Sequence, residues 1–273
     1  MPYCAGFAIR RDVRRGPGYP INDTIMTWMR PCFAARFCAV ALLLLLCSQP
    51  AEAAAKPAHR WQAVLAAGDN AQPVFDNAVG KIAHQLASRG VPAEHIHRLS
   101  ASATSGNSGA EPASAERLLA RIASLPARRG DRCLFFITSH GRQDEGVWLG
   151  YDHEYLEPAA LARALSSGCA RVPTVIIVSA CYSGAFADGA MRAPNRIILT
   201  AARPDRPSFG CQADRTYTYF DECLIAALPR SPTWRAAFSD TAACVARLEK
   251  KLAANPSEPQ AWFGAAARNL RVP

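Results

Sequence analysis

The sequence predicts an α/β sandwich with a mostly parallel central sheet, on three observations. Apolar runs at 134–137 and 175–178 show no polar alternation, as strands covered on both faces do. Segments with apolar residues at helical spacing separate such runs, and strands alternating with helices wind into a layered fold. Half of the 273 residues are hydrophobic, ample for a packed core.

In chain order, residues 61–67 read as the first strand, closed by Gly68-Asp69-Asn70 as a turn. Over 74–89 the spacing of Val74, Ala78, Val79, Ile82 and Leu86 predicts a helix that Gly90 stops. A short second strand fits 95–99, and the small polar residues of 101–109 predict a surface loop. Helix resumes over 114–125 with Ser114 as its N-cap. The third strand, 133–138, delivers His140, and 146–150 reads as one edge of a hairpin. A helix over 158–167 has Pro158 in its first turn and Gly168 as its stop. The fourth strand, 174–179, delivers Cys181, and a fifth covers 196–200. Residues 201–218, rich in Pro, Gly, Arg and Asp, are too many for a plain connection and form a candidate substrate-binding loop. Helices near 221–228 and 234–252 are expected to cover the sheet.

Residues 1–53 read as a signal peptide. The apolar run 39–46 follows Arg30 and Arg36 and precedes Ala51-Glu52-Ala53, a small-x-small site predicting cleavage after Ala53. Its start is over-long, since Met26 or Met29 would open a leader of ordinary length. The run is too short to span a bilayer, and Cys47 follows Leu46, bulky where a lipidated cysteine wants a small residue. Residues 54–273 are thus expected to be a single domain, periplasmic or secreted, monomeric and without a stable membrane span.

The chain carries +9; six arginines and three acidic residues lie upstream of position 54, leaving +6 on the mature part. Its arginines are scattered, with no basic stripe interleaved with aromatics, so nucleic acid is not an expected partner. Without a Gly-rich phosphate loop or a C-x-x-C pair, and with His95-x-His97 short of further ligands, no cofactor or metal is expected. Cys133, Cys169, Cys181, Cys211, Cys223 and Cys244 remain after cleavage; Cys211 and Cys223 flank one loop and are the expected pair.

His140 and Cys181 carry the chemistry. In open parallel sheets the ligand crevice lies outside the carboxyl ends of the strands. Each residue follows a buried strand and opens a Gly-containing turn, so imidazole and thiol reach one rim, as a cysteine nucleophile and its acid/base partner require. Ser139-His140-Gly141 and Ala180-Cys181-Tyr182-Ser183-Gly184 resemble the D-H-G and A-C-E-S-G motifs of the legumain (asparaginyl endopeptidase) family, which includes the GPI-anchor transamidase catalytic subunit and is related to caspases. The 41-residue spacing is near the roughly 50 of caspases. Residues 64–68 are similar to the family's first strand, Thr200-Ala201-Ala202-x-Pro204 to its T-A-A-N-P, and Ser208-Phe209-Gly210-Cys211 to the loop that helps build its S1 pocket.

The resemblance covers roughly residues 61–225 and implies a caspase-like α/β/α sandwich with cysteine endopeptidase activity on a peptide or protein substrate. It implies a Cys181 nucleophile, His140 as acid/base, the backbone amides of Gly141 and Cys181 as oxyanion donors, and Ser208 and Asp221 near S1. Where the family has an Arg-His pair in S1 this chain aligns Asp76-Asn77, and where the family has a third catalytic asparagine it aligns Val74. Asp76, with Asp221, would turn the P1 preference from asparagine to lysine or arginine. A transamidase or peptide ligase using the same dyad, and an inactive binding module on the same scaffold, are the alternatives.

Overall fold

A computed structural model describes residues 60–103 and 109–273. The signal peptide expected over 1–53, and residues 104–108 of the polar loop, lie outside the described residues.

The elements are β1 (Trp61–Ala67), α1 (Val74–Ala87), β2 (Ile96–Ser100), β3 (Glu111–Pro112), α2 (Ala115–Ala123), β4 (Arg132–Thr138), β5 (Gly141–Arg142), β6 (Gly146–Leu149) and β7 (Glu154–Leu156). They continue as α3 (Pro158–Gly168), β8 (Thr174–Ser179), β9 (Arg196–Thr200), α4 (Tyr219–Ala227), α5 (Trp234–Lys251) and β10 (Gln260–Phe263). Seven strands form the main sheet in the order β10-β9-β8-β4-β1-β2-β3, all parallel except β10, and β5-β6-β7 form a small antiparallel sheet. The fold is the expected α/β/α sandwich.

Strand alternation divides the apolar residues between two cores. Leu65, Leu134, Phe136, Val175, Ile177 and Leu199 face α1, α4 and α5 with Phe75, Phe220, Leu224 and Trp234. Val64, Phe135, Ile137, Ile176, Val178 and Ile198 face α2 and α3 with Leu118, Ile122 and Leu165. Burying both faces is what makes these strands read as continuous apolar runs, and each large side chain taken fully from water contributes about 1.5–3 kcal/mol.

Strand order also fixes where a site can lie. From β1 the chain steps outward to β2 and β3, then crosses back to β4 on the other side of β1 and continues through β8 and β9. The order therefore reverses between β1 and β4, and the carboxyl ends of these strands are where such folds place a ligand crevice. His140 leaves β4 at that end.

Three expectations need correction. Gly168 does not stop α3 but is its last residue, and a Cβ there would lie 1.9 Å from the Ile122 carbonyl oxygen; glycine is needed for close packing of α3 on α2. The edge strand β10 is absent from the sequence reading, because half-buried Gln260–Phe263 lack both the unbroken apolar run of a central strand and a clean alternation. The Cys211–Cys223 pair does not form. Cys223 of α4 instead bonds Cys244 of α5, Cys133 of β4 bonds Cys169 at the end of α3, and Cys211 belongs to neither bridge. Sequence proximity to a loop did not reveal that α5 lies alongside α4.

The bridges span 36 and 21 residues, and loop-closure entropy gives each about 3–4 kcal/mol. Replacing both Cys223 and Cys244 by alanine is expected to lower Tm by roughly 6–12 °C, read by calorimetry. An unchanged Tm would refute the bridge.

Candidate active site

β4 and β8 run parallel and in register, with Thr138 opposite Ser179, and the Ser139 amide donates to the Ser179 carbonyl at 3.1 Å. His140 and Cys181 therefore leave neighbouring strands at one level.

After Cys181 the chain turns sharply. Tyr182 adopts a left-handed conformation at φ 58°, uncommon for a non-glycine residue, and a single 3-10 turn over Ser183–Ala187 follows. The Tyr182 amide donates to the Arg206 carbonyl at 2.8 Å, and Ser183 Oγ accepts the amides of Ala201 and Ala202 at 3.1 and 3.3 Å. A Cβ on Gly184 would lie 2.5 Å from the Pro204 nitrogen. The Ser-Gly after the cysteine and the Ala-Ala-x-Pro after β9, separate in sequence, are thus one packed unit that holds the cysteine turn.

The Cys181 sulfur is enclosed by backbone. Its thiol donates to the Ser208 carbonyl at 3.4 Å and its sulfur accepts the Ser208 amide at 3.3 Å. Burial pushes the thiol up from its ordinary value, and hydrogen bonds from the backbone of Ser208, Cys181 and Gly141 pull it part of the way back. The backbone of Gly141 and Cys181, expected to hold an oxyanion, therefore favours negative charge at the reacting atom. Gly141 can approach so closely only because it lacks a side chain: a Cβ there would sit 2.0 Å from the Cys181 carbonyl oxygen.

His140 is the more open partner, its side chain 40% exposed. Phe75, from the first turn of α1, meets the ring edge-on at 5.3 Å, and the His140 carbonyl accepts the Trp148 amide at 3.0 Å. Behind the ring lies Asp69, whose Oδ1 is 3.9 Å from Nε2. Asp69 is fixed independently, accepting the Ala71 amide at 2.8 Å and the Trp148 indole at 3.0 Å. At this distance the carboxylate makes no direct hydrogen bond to the ring.

Asp69 is the residue the sequence reading missed. Gly68-Asp69-Asn70 reads as a turn, and the signal lay in the position of that turn, at the exit of the strand next to β4. The asparagine considered nearby, Asn70, points away and donates to the Ala101 carbonyl at 3.4 Å, and Val74 is buried in the core.

The residues expected to bind substrate separate into three places. Ser208 meets Cys181. Asp76 accepts the Ser102 hydroxyl at 2.8 Å and lines a cavity of about 200 Å³ with Arg98, Ser100 and Ser102 at the exit of β2, whose lining includes neither His140 nor Cys181. Asp221 has no exposed surface, and its Oδ2 accepts the Thr138 hydroxyl at 2.6 Å. In place of a pocket wall it occupies the interior beneath the strand ends, so a direct substrate contact is closed to it.

A thiol held by backbone hydrogen bonds, an imidazole near a carboxylate and neighbouring backbone amides together suit acyl transfer. Residues 114–237 match the family model described as the Peptidase C13 family, a stretch that contains His140, Gly141, Cys181, Ser208 and Asp221 but not Asp69 or Asp76. No curated protein matches the chain.

Proposed function

As a legumain-like member of the peptidase C13 family this chain is a cysteine peptidase, and we propose that it is an exported endopeptidase working through a Cys181 acyl-enzyme with His140 as acid/base. The observation that carries this reading is that His140 and Cys181 leave paired neighbouring strands at one level, with the Ser208 backbone bonded to the Cys181 sulfur. In the first step the thiol proton passes to His140 and the sulfur attacks the substrate carbonyl. The amides of Gly141 and Cys181 then stabilise the oxyanion. Collapse of the intermediate expels the amine, protonated by His140, and leaves a thioester. His140 next takes a proton from water, whose oxygen attacks the thioester and releases the acid and the free thiol.

Two disulfides support export, because such bonds persist in oxidising compartments and are rare in the cytosol. Among the described residues no helix is long and apolar enough to cross a membrane. Asp69, the carboxylate beside His140, supports a preference for a cationic residue in the substrate.

The test uses protein lacking residues 1–53 and a mixed peptide library analysed by mass spectrometry. Internal cleavage is expected, faster after Arg or Lys than after Asn, with iodoacetamide labelling at Cys181. Faster cleavage after Asn would overturn the P1 assignment alone. Absence of both cleavage and Cys181 labelling would overturn the peptidase mechanism, and capture of an added amine in the products would replace hydrolysis by transamidation.

A further inference from the structure

We propose that Asp221 is a positioning residue that sets the spacing of His140 and Cys181 by holding the ends of β4 and β8 on one buried carboxylate, an inference that rests on the peptidase reading above. Thr138 and Ser179 are paired neighbours, the last residues of β4 and β8. By strand alternation both face the layer of α4, where Leu134, Phe136, Val175 and Ile177 precede them. A continued apolar pattern would put valine or isoleucine there. The chain instead carries two hydroxyls, each two residues before a reacting side chain.

Asp221 meets them from α4. Its Oδ2 accepts the Thr138 hydroxyl at 2.6 Å, and the hydroxyls of Ser179 and Thr218 also stabilise its charged form. Thr218 ends the loop that carries Ser208 and caps α4 by accepting the Asp221 amide at 3.2 Å. The carboxylate thereby bonds the strand that delivers the imidazole, lies by the Ser179 hydroxyl on the paired strand that delivers the thiol, and sits on a helix capped from the loop whose backbone meets the sulfur. Burial raises its pKa to about 6, with the three hydroxyls acting in the other direction, and its location in the first turn of α4 also favours negative charge. Oδ1 has no hydrogen-bond partner and no solvent. A group that is costly to bury and incompletely satisfied contributes little net stability together with its partners. Its value here lies in geometry, where an error of about 1 Å costs on the order of 10²-fold in rate.

Asp221→Leu, Asp221→Asn and the pair Thr138→Val with Ser179→Ala separate this role from a structural one. Hydrolysis of a fluorogenic peptide with Arg at P1, iodoacetamide alkylation of Cys181 and Tm are measured for each. Asp221→Leu is expected to lower kcat by roughly 30–100-fold with KM changed less than about 3-fold, to slow alkylation about 10-fold, and to lower Tm by no more than a few degrees. Asp221→Asn, which can still accept the Thr138 hydroxyl, should recover most of the lost kcat. The hydroxyl pair should reproduce the loss and add nothing on top of Asp221→Leu. Folded Asp221→Leu protein with kcat and alkylation within about 2-fold of wild type would overturn the proposal. Should that variant fail to fold, the hydroxyl pair decides by the same criterion. Wild-type protein that neither hydrolyses the peptide nor alkylates at Cys181, by contrast, would remove the underlying peptidase reading.

Discussion

Cys181→Ala is expected to reduce peptide hydrolysis by roughly 10⁴-fold or more while leaving the fold intact. In the proposed mechanism the side chain lost is the one that carries the acyl group, and Ser208 meets it with backbone while Tyr182 is turned by its left-handed conformation. Other parts of the constellation remain, so the residue left behind still binds peptide, and knock-outs of a covalent nucleophile in comparable sites leave only the contribution of binding and oxyanion donors. The sulfur is enclosed but makes only weak hydrogen bonds, at 3.3 and 3.4 Å, so alanine should alter Tm by no more than a few degrees. Hydrolysis of a quenched fluorogenic peptide, compared at matched protein concentration, measures the loss. Retention of more than about 1% activity in homogeneous protein would contradict a Cys181 acyl-enzyme.

Gly141→Ala should be nearly as damaging by a different route. The added methyl would fall 2.0 Å from the Cys181 carbonyl oxygen, a backbone atom that cannot rotate aside, so either the cysteine turn or β5 must move. Either movement withdraws an amide from the oxyanion position, which costs about 10²–10³-fold in kcat, and forcing a methyl into a packed site costs about 1–3 kcal/mol of stability. Gly80→Ala is the control. It lies in α1 with no atom within 4 Å of the added Cβ, and alanine there should raise stability by up to about 1 kcal/mol with unchanged turnover. Equal kcat in Gly141→Ala and wild type would mean that this amide does not serve the transition state.

The contrast between these glycines shows what sequence could and could not convey. β1, β4, β8 and β9 were legible almost to the residue because strands buried on both faces leave unbroken apolar runs, and α1, α2 and α3 because their apolar residues recur at helical spacing. The β3 pair and β10 were not, since two residues carry no pattern and an edge strand is half-buried throughout. In the site, His140 and Cys181 stood out because each ends such a run. Asp69 did not, because a Gly-Asp-Asn turn looks the same whether its carboxylate faces water or an imidazole. Asp76 and Asp221 were assigned by alignment alone, and three-dimensional neighbours decide such assignments: a serine at the β2 exit for one, two strand-end hydroxyls for the other. Disulfide partners failed for the same reason, since which helix lies beside α4 is a tertiary fact.

Strand order has a further consequence in time. β1 is early in the chain yet central in the sheet, and its partner β4 begins only at Arg132. Asp69, His140, Cys181 and Ser208 come from four successive stretches, and the carboxylate beneath the strand ends arrives later still, at Asp221. No fragment that ends before Asp221 contains the whole candidate centre, so on the proposed mechanism activity must await synthesis of α4 and its folding beneath the strand ends.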